Sequence, residues 1–261
     1  MTMQPSRRCQ RVAHRGGAAL APENTLAAFR NALRQPVDAI ELDVQMSRDG
    51  HAIVFHDETI ERLTEGQGNI LDLDLADLRA LNVAVHFPGG WPQAERMPLL
   101  SEVLDFARAE NVQVYIEIKL GKRAGAYVRY PGIAEAVVQE VSAADLLGQV
   151  LIMSFDWEIL PQIKSLAPGV QTGALVSEDV WHPHAPTSLA DLVDKVRVLQ
   201  CEWINLDYDL FTPEMPGFFH AHGYRLGVWT VNDEAGLHRL AEAGVDSLTS
   251  DRPDLFRSLS D

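Results

Sequence analysis

Ala39-Ile40-Glu41-Leu42-Asp43-Val44 sets apolar side chains against two carboxylates in strict alternation. In an extended chain successive side chains point to opposite faces, so Ile40, Leu42 and Val44 share one face and Glu41 and Asp43 the other. The run is one of eight short apolar stretches, at 11–14, 39–44, 113–118, 150–154, 171–176, 203–206, 225–230 and 247–250. Helix-period segments separate them, among them 24–34, 99–109, 133–144, 189–199 and 234–243. That order is expected of βα units feeding a parallel sheet, and eight of them fit a closed α/β barrel, a (β/α)8 fold. Barrels of about 250 residues form one domain, so the 261 residues are expected to be a single domain spanning 1–261. Ala243-Gly244 marks a helix end, and Pro213 and Pro253 mark helix starts.

One connection is too long for the pattern. Residues 57–98, after the second strand, contain Gly66, Gly68, Pro88, Gly89, Gly90 and Pro92. On a barrel's catalytic face such a small insertion is expected to form a lid or a wall of the site.

The formal charge of -15 at pH 7 comes with no cluster of Lys and Arg, which argues against a nucleic-acid partner. Cys9 and Cys201 lie far apart in the sequence and are expected to be free thiols in a reducing compartment, which points to the cytoplasm. The Arg7-Arg8 pair has no apolar stretch behind it, so an export signal is not expected. No apolar run approaches the ~18 residues of a membrane span, so no membrane partner is expected either.

Strands of parallel barrels are normally apolar on both sides, so two inward acids need a cation or hydrogen bonds to offset their burial. The third strand repeats the anomaly, because Ile116 and Ile118 alternate with Tyr115, Glu117 and Lys119. Glu41, Asp43 and Glu117, with no Cys or His in the same strands, suit one hard divalent cation, Mg or Ca or Mn, rather than zinc. An ion-paired layer at the barrel end is the competing explanation. The first strand ends in His14-Arg15-Gly16-Gly17, at the edge where barrel enzymes place catalytic groups. Histidine supplies a proton carrier, arginine a fork matched to phosphate oxygens, and glycine lets backbone approach a ligand. His56 closes the 51–56 run, a strand extension after the Asp49-Gly50 turn. Two acid/base candidates, three metal ligands, Arg15 and Lys119 together suffice to cleave a phosphodiester. In the seventh strand Gly227 and Trp229 share a face, and Trp229 either walls the substrate's alcohol or packs at the rim. His182 and His184, interrupted by Pro183 and followed by Pro186, read as an exposed loop rather than a metal pair.

Taken in order, His14-Arg15-Gly16, Pro22-Glu23-Asn24-Thr25, Glu41-Leu42-Asp43, His56-Asp57, Glu117-Ile118-Lys119 and Ser250-Asp251-Arg252-Pro253 resemble the glycerophosphodiester phosphodiesterase family. The resemblance runs from about 12 to 255, and 12–26 looks most like the bacterial cytoplasmic enzymes. It implies a TIM barrel, a divalent cation, and hydrolysis of small-molecule glycerophosphodiesters to sn-glycerol 3-phosphate and an alcohol. By the same resemblance Glu41, Asp43 and Glu117 are metal ligands, His14 and His56 the acid/base pair, and Arg15 and Lys119 phosphate contacts. Asn24 either orients neighbouring groups beside the site or caps the helix that follows. The insertion matches the family's small subdomain, but Leu81-Asn82-Val83-Ala84 departs from the usual pattern there, which leaves the pocket wall and the choice of alcohol open. Two rival functions share these residues. A lysophospholipase D or sphingomyelinase D activity would need a membrane-facing surface that the charge disfavours, and a non-catalytic phosphopolyol-binding module predicts a missing ligand or histidine, whereas every position is filled.

Overall fold

The computed structural model describes residues 8–181 and 189–260. Along the chain run β1 (Gln10–Ala13), α1 (Leu26–Ala32), β2 (Ala39–Met46), β3 (Ala52–Val54), α2 (Leu75–Arg79), α3 (Leu100–Glu110) and β4 (Gln113–Ile118). Next come β5 (Gly121–Arg123), β6 (Ala126–Val128), α4 (Ile133–Ala143), β7 (Val150–Ser154), α5 (Ile159–Leu166) and β8 (Gln171–Val176). The chain ends with α6 (Leu189–Arg197), β9 (Trp203–Asp207), α7 (Met215–Ala221), β10 (Arg225–Trp229), α8 (Glu234–Ala243) and β11 (Ser247–Ser250). Strands β1, β2, β4 and β7 to β11 are parallel neighbours, and β1 pairs with both β11 and β2, which closes an eight-stranded (β/α)8 barrel.

The alternation read from β2 decides what lies inside. Ile40, Leu42 and Val44 pack outward in one cluster with Phe29 of α1 and Leu100, Val103 and Leu104 of α3. Val12, Ala39, Tyr115, Leu151, Met153, Leu175 and Trp203 fill the barrel. Above that apolar plug, toward the C-terminal ends of the strands, stand Glu41, Asp43 and Glu117. The register sets Asp43 of β2 directly beside Glu117 of β4.

Element ends depart from expectation where side chains compete for the backbone. The first strand stops at Ala13, and His14 opens a 3-10 turn, His14–Gly16. Thr25, not Asn24, caps α1, its Oγ1 accepting from the Ala28 N–H at 3.0 Å. The helix expected at Pro213 starts at Met215, and Pro253 opens a 3-10 turn, Pro253–Ser258, in place of an α-helix after the last strand. His182, Pro183, His184 and Pro186 lie outside the described residues.

Ahead of the long connection the 51–56 extension forms a hairpin, β3 lying antiparallel to β2 with Val44 opposite Val54. Beyond it Ile60, Ile70, Leu78, Val83 and Met97 pack with Ile53 and Phe55 into a cluster of their own. Within the atypical 81–84 segment, Asn82 Oδ1 accepts from the N–H groups of Ala84 and Glu95, both at 3.0 Å, and so ties the two ends of that loop together.

Candidate active site

Glu41, Asp43 and Glu117 each offer an oxygen within 4.8 Å of the others, and all three side chains are buried. Burial and the neighbouring charges of Asp43 and Glu117 push the Glu41 carboxyl well above its ordinary range. Asp43 goes the other way: burial opposes its charge, but Arg15, Lys119, His56 and a hydrogen bond from Asn24 hold it below that range. Asn24 Nδ2 donates to Asp43 Oδ2 at 2.8 Å, and Asn24 Oδ1 accepts from the Asp43 N–H at 3.3 Å. Because Thr25 does the capping, the Asn24 side chain is free for this task.

Two cations border the acids. Lys119 Nζ donates to Glu117 Oε1 at 2.7 Å and lies 3.6 Å from Asp43 Oδ1. Burial disfavours its charge, yet Glu117 and Asp43 hold its pKa above the ordinary lysine value. Arg15 Nη1 donates to Glu23 Oε1 at 3.0 Å, and Nε lies 3.3 Å from Asp43 Oδ2. The backbone of Arg15 is left-handed, φ 51, and that turn aims its N–H at Glu41 Oε2, 2.8 Å away. Gly16 continues the turn at φ 80, where a Cβ would stand 2.7 Å from the Ala28 Cβ, so only glycine lets α1 approach. Glu41 is crowded by two other carboxylates, and Asp43 Oδ1 has no hydrogen-bond partner. An all-oxygen donor set with a buried, unpartnered carboxylate oxygen fits a hard divalent cation.

The two histidines are held alike. His14 Nδ1 lies 2.6 Å from Asp251 Oδ1, and His56 Nδ1 lies 2.6 Å from Asp57 Oδ1. Burial opposes the charge of both aspartates, but the hydrogen bonds from His14 and His56 keep them below the usual carboxylate range. An ionised carboxylate only accepts, so each Nδ1 carries a proton and each Nε2 is left as the exchangeable position. Asn232 Nδ2 donates to Asp251 Oδ2 at 2.8 Å, and Arg62 brackets Asp57 and Glu23. Gln45, fully buried on β2, donates from Nε2 to the carbonyls of Phe55 and Asp57, at 2.8 and 2.7 Å. That fork pins the segment carrying His56 to the barrel strand that carries Glu41 and Asp43.

His14, Arg15, Glu41, His56, Glu117, Lys119 and Trp229 line a single cavity of about 130 Å³, and Asp43 lies immediately behind it. All eight residues singled out in the sequence therefore converge on one place. Trp229 stands at the rim, edge-to-face with Phe155 at 5.6 Å, its Nε1 donating to the Asn205 carbonyl at 3.1 Å.

Residues 14–255 match the model of the glycerophosphoryl diester phosphodiesterase family. The chain belongs to that family. A glycerophosphodiester phosphodiesterase of Caldanaerobacter subterraneus subsp. tengcongensis is 34% identical over 253 residues, 95% of this chain and 96% of that one. A glycerophosphodiester phosphodiesterase of Bacillus subtilis is 33% identical over 95% of this chain and 85% of its own. Among solved structures, an Oleispira antarctica phosphodiesterase in complex with the product sn-glycerol-3-phosphate superposes with a TM-score of 0.79 at 27% identity, covering 95% of each chain.

Within this glycerophosphoryl diester phosphodiesterase fold, the carboxylates that orient the histidines are what sequence reasoning missed. Asp57 and Asp251 stand in the motifs that carry the family resemblance, but their pairing with His56 and His14 does not follow from local periodicity. Asp251 is 237 residues from His14 in sequence. The signal that could have found it is topological: β11 is the barrel neighbour of β1, so the residue after β11 meets the residue after β1.

Proposed function

We propose that the chain hydrolyses glycerophosphodiesters to sn-glycerol 3-phosphate and an alcohol with one divalent cation, Mg or Ca, held by Glu41, Asp43 and Glu117. The observation that carries this is the convergence of three carboxylates and two carboxylate-clamped histidines on one 130 Å³ cavity. Likeness to a relative crystallised with sn-glycerol-3-phosphate supports the choice of product. When bound, the cation supplies Lewis-acid stabilisation of phosphate charge and acidifies a coordinated hydroxyl.

The chain's own groups do the rest. His14 and His56, each fixed in the Nδ1–H tautomer, exchange protons through Nε2, one taking the nucleophile's proton and the other giving one to the leaving alkoxide. Arg15 and Lys119 meet the phosphate oxygens, and the carboxylates that hold these cations keep both in place. Trp229 and Phe155 wall the organic part of the substrate and limit water at the rim. The whole of 1–261 acts as one domain with the insertion as part of its mouth. Among the described residues no helix is long and apolar enough to cross a membrane, and Cys9 and Cys201 are free thiols; a water-soluble substrate and a cytoplasmic site of action are part of this reading.

The test is metal dependence with ligand specificity. EDTA-treated protein should be inactive, Mg or Ca should restore turnover better than Zn, and Glu117→Ala should no longer bind Mg in a calorimetric titration. An unchanged titration in Glu117→Ala would remove that residue from the site.

A further inference from the structure

The two histidine clamps differ in what stands behind the aspartate. Asp251, which holds His14, takes its second hydrogen bond from the neutral amide of Asn232 at 2.8 Å. Asp57, which holds His56, is met instead by Arg62, whose Nε and Nη2 donate to its two oxygens. The same guanidinium donates from Nη1 and Nη2 to the two oxygens of Glu23, at 2.8 and 2.7 Å. Glu23 Oε1 also accepts from Arg15 Nη1 at 3.0 Å. Arg15, Glu23, Arg62 and Asp57 thus form a chain of alternating charge that ends on the His56 ring. Building on the hydrolase reading above, we propose that Arg62 is a positioning residue: supplied by the insertion, it ties the arginine that meets the phosphate to the histidine that moves a proton.

The local fold of the insertion aims this side chain. Ile60 and Thr64 stand four apart on one helical turn, the Thr64 N–H donating to the Ile60 carbonyl at 3.1 Å, and Ile60 is buried in the insertion's own cluster. Side chains three or four apart share a face, so Arg62, two on from Ile60, leaves that cluster and reaches the barrel mouth. Gly66 follows where a Cβ would stand 2.9 Å from both Ile60 Cδ1 and Leu81 Cδ2, so the turn sits tight against the insertion's core. An ordinary surface ion pair orders two flexible side chains for little gain. Here Arg62 is half-exposed, but Glu23 is only 11% exposed, and all three guanidinium nitrogens are used against two carboxylates that other groups already hold. A planar fork meets both carboxylates at once, which a lysine ammonium cannot copy.

Loss of Arg62 has a separate consequence at each end of the chain. At Asp57 the guanidinium shares the carboxylate's charge with His56, so its removal leaves that charge to the imidazole alone and favours the protonated ring. At Glu23 its removal leaves Arg15 as the one cationic partner among the described residues, which draws the Arg15 guanidinium away from the phosphate. Asp43, Glu117, Lys119 and Glu58 also face His56 or lie beside it. They are the same with and without Arg62, so a difference between the two proteins reports Arg62. Asp251 takes no hydrogen bond from Arg62, so the His14 ring keeps its setting.

The experiment compares the Mg-loaded full chain with Arg62→Gln and Arg62→Lys. KM, kcat and the pH–rate profile are measured on glycerophosphocholine, and the His56 imidazole is titrated by NMR. Arg62→Gln should raise KM about three- to tenfold, and should move one limb of the profile, together with the His56 resonance, to higher pH by about half a unit while the other limb stays. Arg62→Lys restores the charge but not the fork, so the limb should return and KM should stay raised. A loss in Arg62→Gln that leaves both limbs and the His56 resonance in place would overturn the inference and reduce Arg62 to a support of the insertion. Full recovery of KM in Arg62→Lys would overturn the role of the fork. Absence of turnover in the unsubstituted protein would overturn the hydrolase reading by itself, and the NMR titration, which needs no substrate, would still decide the link from Arg62 to His56.

Discussion

His14 and His56 each place one ring nitrogen against an aspartate and leave the other toward the cavity, an arrangement that makes distinct claims for ring and clamp. Replacing either histidine by Ala should lower turnover by about two to four orders of magnitude with the fold retained, and the double variant should lose far less than the combined effect of the two. A nitrophenyl ester departs with little need of protonation, so the histidine serving as general acid should become nearly dispensable with that substrate while the base does not. Equal losses on activated and natural esters would mean that neither division of roles holds. Asp251→Asn tests the clamp: it removes the negative charge that favours an imidazolium, so turnover should fall about tenfold or more and the pH–rate profile should move, whereas a merely structural role would leave the profile in place. The three inward acids were legible in the sequence because alternation in β2 and β4 exposes any charge that turns inward. Asn24 was legible only as a choice between cap and site, and Thr25 settles it by supplying the cap.

At the scale of elements, the barrel strands were readable because each interrupts helical periodicity with a short apolar run. Helix α5 was hard to see, carrying Pro161 within its first turns, so propensity hides it and packing of Ile159, Leu160 and Ile163 makes it, whereas Pro213 signalled the start of α7 to within two residues. Strand interiors carry a second kind of information. Asn205 on β9 lies between Gly173 and Gly227 of the two adjacent strands, β8 and β10, where a Cβ would fall 2.3 Å from its Nδ2 and 2.4 Å from its Oδ1. Those glycines are there for space. Gly227→Ala should destabilise the protein by about 1–3 kcal/mol in urea unfolding, and adding Asn205→Ala should recover part of that loss. Strict additivity of the two substitutions would show that the amide and the glycine do not share that space.

Taken whole, the molecule gathers acids at one barrel mouth and holds them with a few cations, and its response to pH follows. Glu23, Asp57 and Asp251 all have folded pKa values below their ordinary ones: burial opposes each charge, but Arg62 and Arg15 hold Glu23, His56 and Arg62 hold Asp57, and His14 holds Asp251. A carboxyl depressed on folding contributes stability that is complete above its unfolded value, about pH 4, and is lost as pH falls through the folded value. Urea midpoints should therefore drop below about pH 4, and Arg62→Ala, which releases Glu23 and Asp57 together, should make that drop shallower. An acid limb unchanged in Arg62→Ala would show that the bridge does not set those pKa values.

The most direct measurement is product analysis after incubation of glycerophosphocholine with protein stripped by EDTA and reloaded with Mg or Ca. The expected products are sn-glycerol 3-phosphate and choline, formed only by reloaded protein and not by Glu117→Ala. Turnover that survives metal removal, or release of phosphocholine and glycerol, would contradict a metal-assisted cleavage on the alcohol side of the phosphate.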